Sequence, residues 1–371
     1  MSLTRSDPQV SWRARLAPAI ALLVVGAVAL PPAHAAPGTA DPTPLLAYYY
    51  IWFNASSWNR AKSDYPKIGR YTSDEPSVMR EQIRLAKRAG INGFIVSWKS
   101  TTVLDDRLGR LIHVAKRAHF KLAIVYEGLD FERHPLPARK IASDLDLFIR
   151  RYSRSSVFHI FEKPVVIWSG SWEFSPAQIE QVVTPRRKRL LILASEKNPA
   201  DYLAKARLFD GDAYYWSSVN PDTYPDYPGK LRGMASAVHG MGGLWFAPAA
   251  PGYDARLVGG RMVVDRKNGE TLRVEMNTAQ QSDPDAISLI SWNEFSENSE
   301  VEPSVKYGAR ALEVLADIRG TPFKYKGDFA SDQPGATNRG ALPLLPLTIA
   351  VVVGALVVYA LARKGRMNAR G

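Results

Sequence analysis

The sequence predicts a parallel (β/α)8 barrel, and three observations carry that expectation. Eight apolar runs alternate with amphipathic segments between residues 36 and 320. Several of the runs are continuously apolar, as strands covered on both faces are. No glycine-rich phosphate turn follows the first run, and residues suited to chemistry fall at the carboxyl ends of the runs, where barrel sites are built. An open doubly wound sheet shares the alternation, but the missing phosphate turn and the placement of the chemical residues favour the closed form.

In chain order, the expected strands are 45–52, 93–98, 121–126, 164–168, 190–194, 212–216, 243–248 and 286–293. Ser73-Asp74-Glu75-Pro76 opens the first helix with proline in its first turn, and Gly90 ends it. Leu108, Leu111, Ile112 and Ala115 recur at helical spacing within 104–118. Shorter amphipathic helices are expected at 141–152 and 176–183, one between the last two strands at 272–281, and a closing helix at 309–319.

The two ends differ from the middle. Arg5, Arg13 and Arg15 precede an apolar run at 16–30 and then Ala33-His34-Ala35, the pattern of a secretory signal peptide over 1–35. Residues 342–362 are almost wholly apolar, about the 20 residues that span a bilayer. Arg363, Lys364, Arg366 and Arg370 in the tail 363–371 mark the cytoplasmic side. The sequence therefore predicts an exported barrel (36–320), a stalk (321–341) and a C-terminal helix tethering the chain to the plasma membrane, with the barrel outside. Gly354 alone is no dimer face, and nothing in the sequence specifies an oligomeric state.

The net charge is +12, but no basic block with interleaved aromatics accompanies it, so no nucleic-acid interface is expected. Arg186-Arg187-Lys188-Arg189 reads as solvated surface. The chain has no cysteine, which excludes disulfides and thiolate chemistry. His113, His119, His134, His159 and His239 lack ligand spacing, so no metal is expected. A Gly-x-Ser-x-Gly elbow is absent, and serine-hydrolase chemistry loses its marker.

What remains is carboxylate chemistry. Ser291-Trp292-Asn293-Glu294-Phe295-Ser296-Glu297 follows the last apolar run and sets two glutamates three residues apart. A charge directly after a buried strand is expensive unless it has a task. Paired carboxylates beside aromatic rings are the usual equipment for cleaving a glycosidic bond. Other strand ends carry Tyr48, Tyr49, Tyr50, Trp52, Trp98, Trp168, Tyr214, Tyr215 and Trp216, and the seventh leads to Tyr253 and Asp254. Each ring taken alone reads as core; together they form a ring of faces and polar tips suited to sugars. Glu127 at the third strand end reads either as a rim ion pair or as a member of the site.

These segments, in this order, resemble glycoside hydrolase family 99, the endo-α-mannosidases and endo-α-mannanases. Tyr49-Tyr50-Ile51-Trp52-Phe53 is similar to the family's Tyr-Tyr-x-Trp-Tyr, and Gly69 to Pro76 to its Gly-x-Tyr-x-Ser-x-Asp-Pro turn. Ser97-Trp98, Pro251-Gly252-Tyr253 and Val301-Glu302-Pro303 resemble further family segments. Ser291 to Glu297 resembles its Asn-Glu-aromatic-x-Glu segment. The resemblance implies a (β/α)8 barrel that cleaves within α-mannans with retention and needs no cofactor. It implies that Glu294 assists attack by the sugar's own 2-hydroxyl, and that Glu297 is general acid and then base. It further implies that Glu127, Trp98 and Tyr253 contact the sugars, with Tyr49, Asp254, Trp292 and Asn293 beside them. Asn298-Ser299 replaces the family's Gly-Thr, Phe295 its second Trp, and 54–64 lacks its His-Trp element. A sugar-binding protein on a degenerate barrel, or a glycan-remodelling transferase, fits the same residues.

Overall fold

Strand alternation in the apolar runs determines where everything else goes. The structure, a computed structural model, describes residues 43–60 and 62–325. The strands of the main sheet are β1 (Leu45–Tyr50), β2 (Gly93–Ser97), β3 (Lys121–Glu127), β4 (Val165–Ser169), β5 (Leu191–Leu193), β6 (Gly211–Asp212), β7 (Leu244–Ala249) and β10 (Ala286–Leu289). They pair in the order β5-β4-β3-β2-β1-β10-β7-β6, and each adjacent pair is parallel. A parallel bridge between Ala194 and Asp212 joins the two ends of that order and closes the barrel. The Ala194 N–H donates to Gly211 O at 2.9 Å, and the Ala213 N–H to Ala194 O at 2.9 Å. Gly211 has φ of 153°, and a Cβ there would lie 2.1 Å from Leu244 O of the neighbouring β7, so the close approach of β6 to β7 admits only glycine. A small antiparallel hairpin, β8 (Tyr253–Asp254) with β9 (Val263–Val264), stands on the loop after β7.

The helices are α1 (Pro76–Arg88), α2 (Thr102–Arg117), α3 (Ala138–Arg151), α4 (Pro176–Val183), α5 (Pro199–Lys205), α6 (Tyr227–Gly240), α7 (Glu270–Gln281) and α8 (Arg310–Ile318). In α1, Met79, Gln82, Ile83, Leu85 and Ala86 are buried at helical spacing, and Gly90 ends the segment with φ of 80° against the Arg319 side chain. The expected helices lie where the sequence places them, with ends shifted by a few residues. The reading passed over α5 and α6, although Asn198-Pro199 and Asp226-Tyr227-Pro228 are N-cap signals, with both cap side chains accepting backbone N–H groups. Two expected strands stop three or more residues short of their predicted ends. The run 212–216 is strand only through Asp212, and 286–293 only through Leu289.

Period-two alternation divides the core into two layers. Leu46, Tyr48, Ile95, Val125, Ile167, Leu193 and Phe246 fill the barrel interior. Tyr49, Phe94, Val96, Trp98, Tyr126, Trp168 and Trp245 face the helices. Fully burying each such side chain contributes about 1.5–3 kcal/mol.

The expected signal peptide, membrane helix and basic tail lie outside the described residues, as does the stalk from 326 onward. Among the described residues no helix is long and apolar enough to cross a membrane. Residues 321–325, the start of the expected stalk, lie against the barrel, with Phe323 under the Arg88 guanidinium and Tyr325 under the Lys67 ammonium.

Candidate active site

The chain after β10 does not continue as strand. The Ile290–Ser291 peptide bond is cis. The Trp292 N–H still reaches across to Tyr48 O at 2.7 Å. From there the backbone closes into a tight loop. The Ser291 N–H donates to Ser299 O at 2.7 Å, and the Glu294 N–H donates to Ser291 Oγ at 2.8 Å. Asn293 is the brace of this loop. It accepts the Tyr50 N–H at 2.8 Å and donates to Tyr50 O at 3.0 Å and to the Tyr71 hydroxyl at 3.2 Å. A side-chain amide thus substitutes for the strand ladder that β10 has given up.

A polar layer lies beneath. Tyr71 donates to Glu302 Oε2 and Gln82 to Glu302 Oε1, each at 2.8 Å, and the Tyr49 hydroxyl donates to Gln82 at 2.5 Å. Burial pushes the Glu302 carboxyl up to about 8. On the far side, Arg266 donates to the carbonyls of Asn298 (2.9 Å) and Glu300 (2.7 Å) and to the Glu300 carboxylate (2.7 Å). Asn298, one of the departures from the family pattern, has φ of 49° and donates to Asp254 O at 3.3 Å. The Asp254 N–H donates to Glu297 O at 2.7 Å, so the hairpin and the glutamate loop are stitched together.

Glu294 is 6% exposed, whereas Glu297 is only partly buried. Burial pushes the Glu297 carboxyl up to about 8, reinforced by the negative charges of Glu294 and then Glu127 and opposed by Arg133. Burial also raises Glu294, against the Ser296 backbone N–H at 3.0 Å from Oε1 and the charge of Lys62. Burial raises Glu127 as well, and its Oε1 lies 3.5 Å from Ser97 Oγ. Three carboxyls from two strand ends therefore share one electrostatic environment, in which a proton is held near neutrality.

Tyrosines surround them. Burial raises Tyr253 to about 12, with Glu297 and Glu294 adding to the rise. Tyr50 and Tyr215, joined hydroxyl to hydroxyl at 3.0 Å, are raised well above the ordinary phenol range by burial and by the glutamates. Trp52 stacks on Tyr50 with centroids 4.3 Å apart and is 42% exposed, a flat apolar face at the rim.

The structure thus brings Glu294, Glu297, Glu127 and Tyr253 together. Asp254 is at the edge, its carboxylate held by Arg256 at 2.9 and 2.7 Å. It does not bring Tyr49, Trp98 and Trp292 to the opening, contrary to the expectation of sugar contacts. Each is at most 2% exposed, because odd-even alternation turns Tyr49 and Trp98 toward the helix layer, where Tyr49 stacks on Phe94 and Trp98 donates to Asp105 at 3.0 Å. Trp292 packs on Phe94 there too, and Asn293, fully buried, braces the loop. The sequence reading missed Tyr50 and Tyr215 as inward neighbours of the carboxyls, because the run 45–50 is apolar throughout and does not mark which side chains face inward. It also missed Lys62 and Ser296, for which the sequence carries no signal. A separate cavity of about 1030 Å³ lies on the outer face of α2, lined by Arg80, Asp105, Arg110, His113 and Arg151, and holds none of these carboxyls.

A closed parallel barrel with clustered carboxyls at the carboxyl ends of its strands is the architecture of many barrel enzymes. The sequence profile of glycosyl hydrolase family 99 matches residues 53–325, and the chain belongs to that family. It is 23% identical over 266 residues to glycoprotein endo-alpha-1,2-mannosidase of Mus musculus, covering 66% of this chain but only 57% of that protein. It is 22% identical over 364 residues to the glycoprotein endo-alpha-1,2-mannosidase-like protein of Mus musculus, covering 79% and 78% of the two chains. Among solved structures, the GH99 endo-alpha-mannosidase from Bacteroides thetaiotaomicron superposes with a TM-score of 0.64 at 18% identity, covering 76% of this chain and 98% of that one. This last likeness bears on the fold.

Proposed function

We propose that the chain is a retaining, endo-acting glycoside hydrolase that cleaves internal α-linkages of a mannan-like polysaccharide. The observation that carries this reading is the unequal pair after β10. Glu297 keeps a proton to about pH 8 under burial and two neighbouring carboxyls. Glu294, three residues away, is hydrogen-bonded by a backbone N–H and lies near a lysine. Family membership and the names of its relatives point to mannose-containing glycans.

In this reading Glu294 takes the proton of the sugar's 2-hydroxyl as O2 attacks the anomeric carbon. The bond from that carbon to the leaving oxygen breaks, and the leaving oxygen takes the Glu297 proton. Water then opens the resulting 1,2-anhydro sugar, giving a proton to Glu297, while O2 recovers its proton from Glu294. Two inversions at one carbon amount to retention. In the same reading Glu127, Tyr253 and the exposed face of Trp52 contact the sugars on either side of the cut. No resident cofactor has a part in it.

The ends of the chain support export and tethering by their composition: a basic then apolar leader at 1–35 and an apolar span at 342–362 followed by arginines. The substrate is then a glycan outside the cell. Carbonate-resistant membrane association that is lost on deleting 342–371 tests the tether.

The central test is digestion of α-mannan oligosaccharides by wild type, Glu294→Gln and Glu297→Gln, read by mass spectrometry. Wild type is expected to release internal fragments with retained configuration, and each variant to lose at least about 100-fold in turnover. Turnover by Glu297→Gln at the wild-type rate contradicts the assignment, and binding without product by the wild type points to the sugar-binding alternative.

A further inference from the structure

The proposed chemistry needs two neighbouring glutamates in opposite protonation states. Burial raises both and does not tell them apart. The surroundings of each carboxyl must supply the difference. From β3, Glu127 raises both. Tyr50 at the end of β1, Tyr215 after β6 and Tyr253 in β8 face the pair as neutral phenols, since all three are raised. Arg133, after β3, bears on Glu297 and Glu127. From the loop after β1, Lys62 supplies the positive charge that bears on Glu294, with Arg60 beside Lys62 opposing the lysine's own charge.

Lys62 is an unusual lysine. It is 7% exposed, and among the described residues no carboxylate oxygen lies within salt-bridge reach of it. Its ammonium donates to Ser296 Oγ at 3.1 Å and lies 5.9 Å from the centroid of the Trp58 ring. Ser296 in turn donates its backbone N–H to Glu294 Oε1 at 3.0 Å. A buried ammonium that contacts only a hydroxyl and a ring is costly to the fold. Lysine burial without a bonded counter-charge lowers the lysine's pKa, as is the case here. Such a residue serves the field it creates rather than the stability of the barrel.

We propose that Lys62, acting through Ser296, is the positioning residue that holds Glu294 as a carboxylate while Glu297 keeps its proton. This rests on the assignment of Glu294 as the base. Lys62 touches no reacting atom in this scheme. It orients the Ser296 hydroxyl, and with it the turn whose N–H faces Glu294, and it sets the sign of the local potential. The order of the two acids follows. With Lys62 present, Glu294 ionises first, and its charge then holds the proton on Glu297.

The test is a carbon-13 NMR titration of glutamate carboxyls in the full-length protein, with resonances assigned through Glu294→Gln and Glu297→Gln. In Lys62→Met the Glu294 midpoint is expected to rise by about 1–2 pH units, the size of effect one nearby opposite charge has. The Glu297 midpoint is expected to fall, because a neutral Glu294 no longer repels its charge. Lys62→Arg, which keeps the charge, is expected to restore the wild-type order. An unmoved Glu294 midpoint in Lys62→Met, with or without a lower Tm, overturns the proposal. If Lys62→Met does not fold, Lys62→Gln, which can still donate to Ser296 Oγ but carries no charge, is the same test, and an unmoved midpoint there has the same meaning. Where turnover is measurable, the acidic limb of kcat should move up with Glu294 while KM changes little. The titration needs no substrate, so it separates a wrong role for Lys62 from a wrong reading of the reaction.

Discussion

Arg266→Met is expected to destabilise the protein in a way that depends on pH, with a sign the structure dictates. Arg266 is nearly buried and clasps a carboxylate, Glu300, that is fully buried. Methionine keeps much of the length and can pack under the Tyr307 ring, whose centroid is 3.9 Å from the Arg266 guanidinium carbon. The charge and the hydrogen bonds to Asn298 and Glu300 are lost. Removing one partner of a buried ion pair costs about 3–5 kcal/mol. The pH dependence comes from Glu300, whose carboxyl burial pushes up to about 7 against the pull of Arg266. The folded wild type holds this proton up to about pH 7, while the unfolded chain releases it near ~4.3. This acid therefore makes wild-type stability fall with rising pH between those values and level off above 7. Without Arg266 the folded carboxyl titrates higher still, and the variant goes on losing stability where the wild type has levelled. Urea unfolding of both proteins at pH 6, 7, 8 and 9 should show a deficit smallest at pH 6. Above pH 7 it should widen by about 1.4 kcal/mol per pH unit until the variant's Glu300 ionises. Titrations common to both proteins cancel in the difference. A deficit that stays constant from pH 6 to 9 would refute the argument that Arg266 is paired with an ionising Glu300.

Three further outcomes concern the site. On a mannan substrate, kcat/KM should fall about tenfold per pH unit above pH 8, as Glu297 gives up its proton. Glu127→Gln should move that falling limb to lower pH, because it removes a negative charge that raises Glu297, and a limb that stays in place argues against the shared environment. Trp52→Ala should raise KM roughly tenfold with kcat little changed, the loss of one stacking face. Its Tm should stay near wild type, since the ring is 42% exposed, and a collapse of Tm would make Trp52 a structural residue instead.

The barrel was legible because its signals are local. Continuous apolar runs, a proline after an N-cap and a glycine stop each act within a few residues, and α1 and α4 lie where those marks place them. The glutamate pair was legible for the same reason, since Asn293, Glu294 and Glu297 come from one short segment. The contacts expected of Tyr49 and Trp98 failed for a geometric reason. Their strands are buried on both faces, so hydropathy does not say which side chains point inward. Only the register of the finished barrel sends Tyr48 and Tyr50 to the interior and Tyr49 to Gln82. The roles of Lys62 and Arg266 were illegible for another reason. Lys62 meets Ser296 across 234 positions and Arg266 meets Glu300 across 34, and neither sequence neighbourhood distinguishes these cations from solvated ones.

The β5–β6 seam has a consequence of its own. Elsewhere around the cylinder neighbouring staves share two to five residue pairs, but here the ladder is the single pair Ala194–Asp212, flanked by the Asp210 N–H to Ile192 O bond and by bonds from the Ile192 and Glu196 N–H groups to the Asp210 and Asp212 carboxylates. Fluctuations that part the wall should begin at this line, and amide protons of Ala194 and Ala213 should exchange with solvent ahead of those on β1 to β3. The glutamate loop hangs from β10, which is separated from the seam by β7 and β6 on one side and by β1 to β5 on the other. The cylinder can therefore breathe along one edge without disturbing the spacing of the acids.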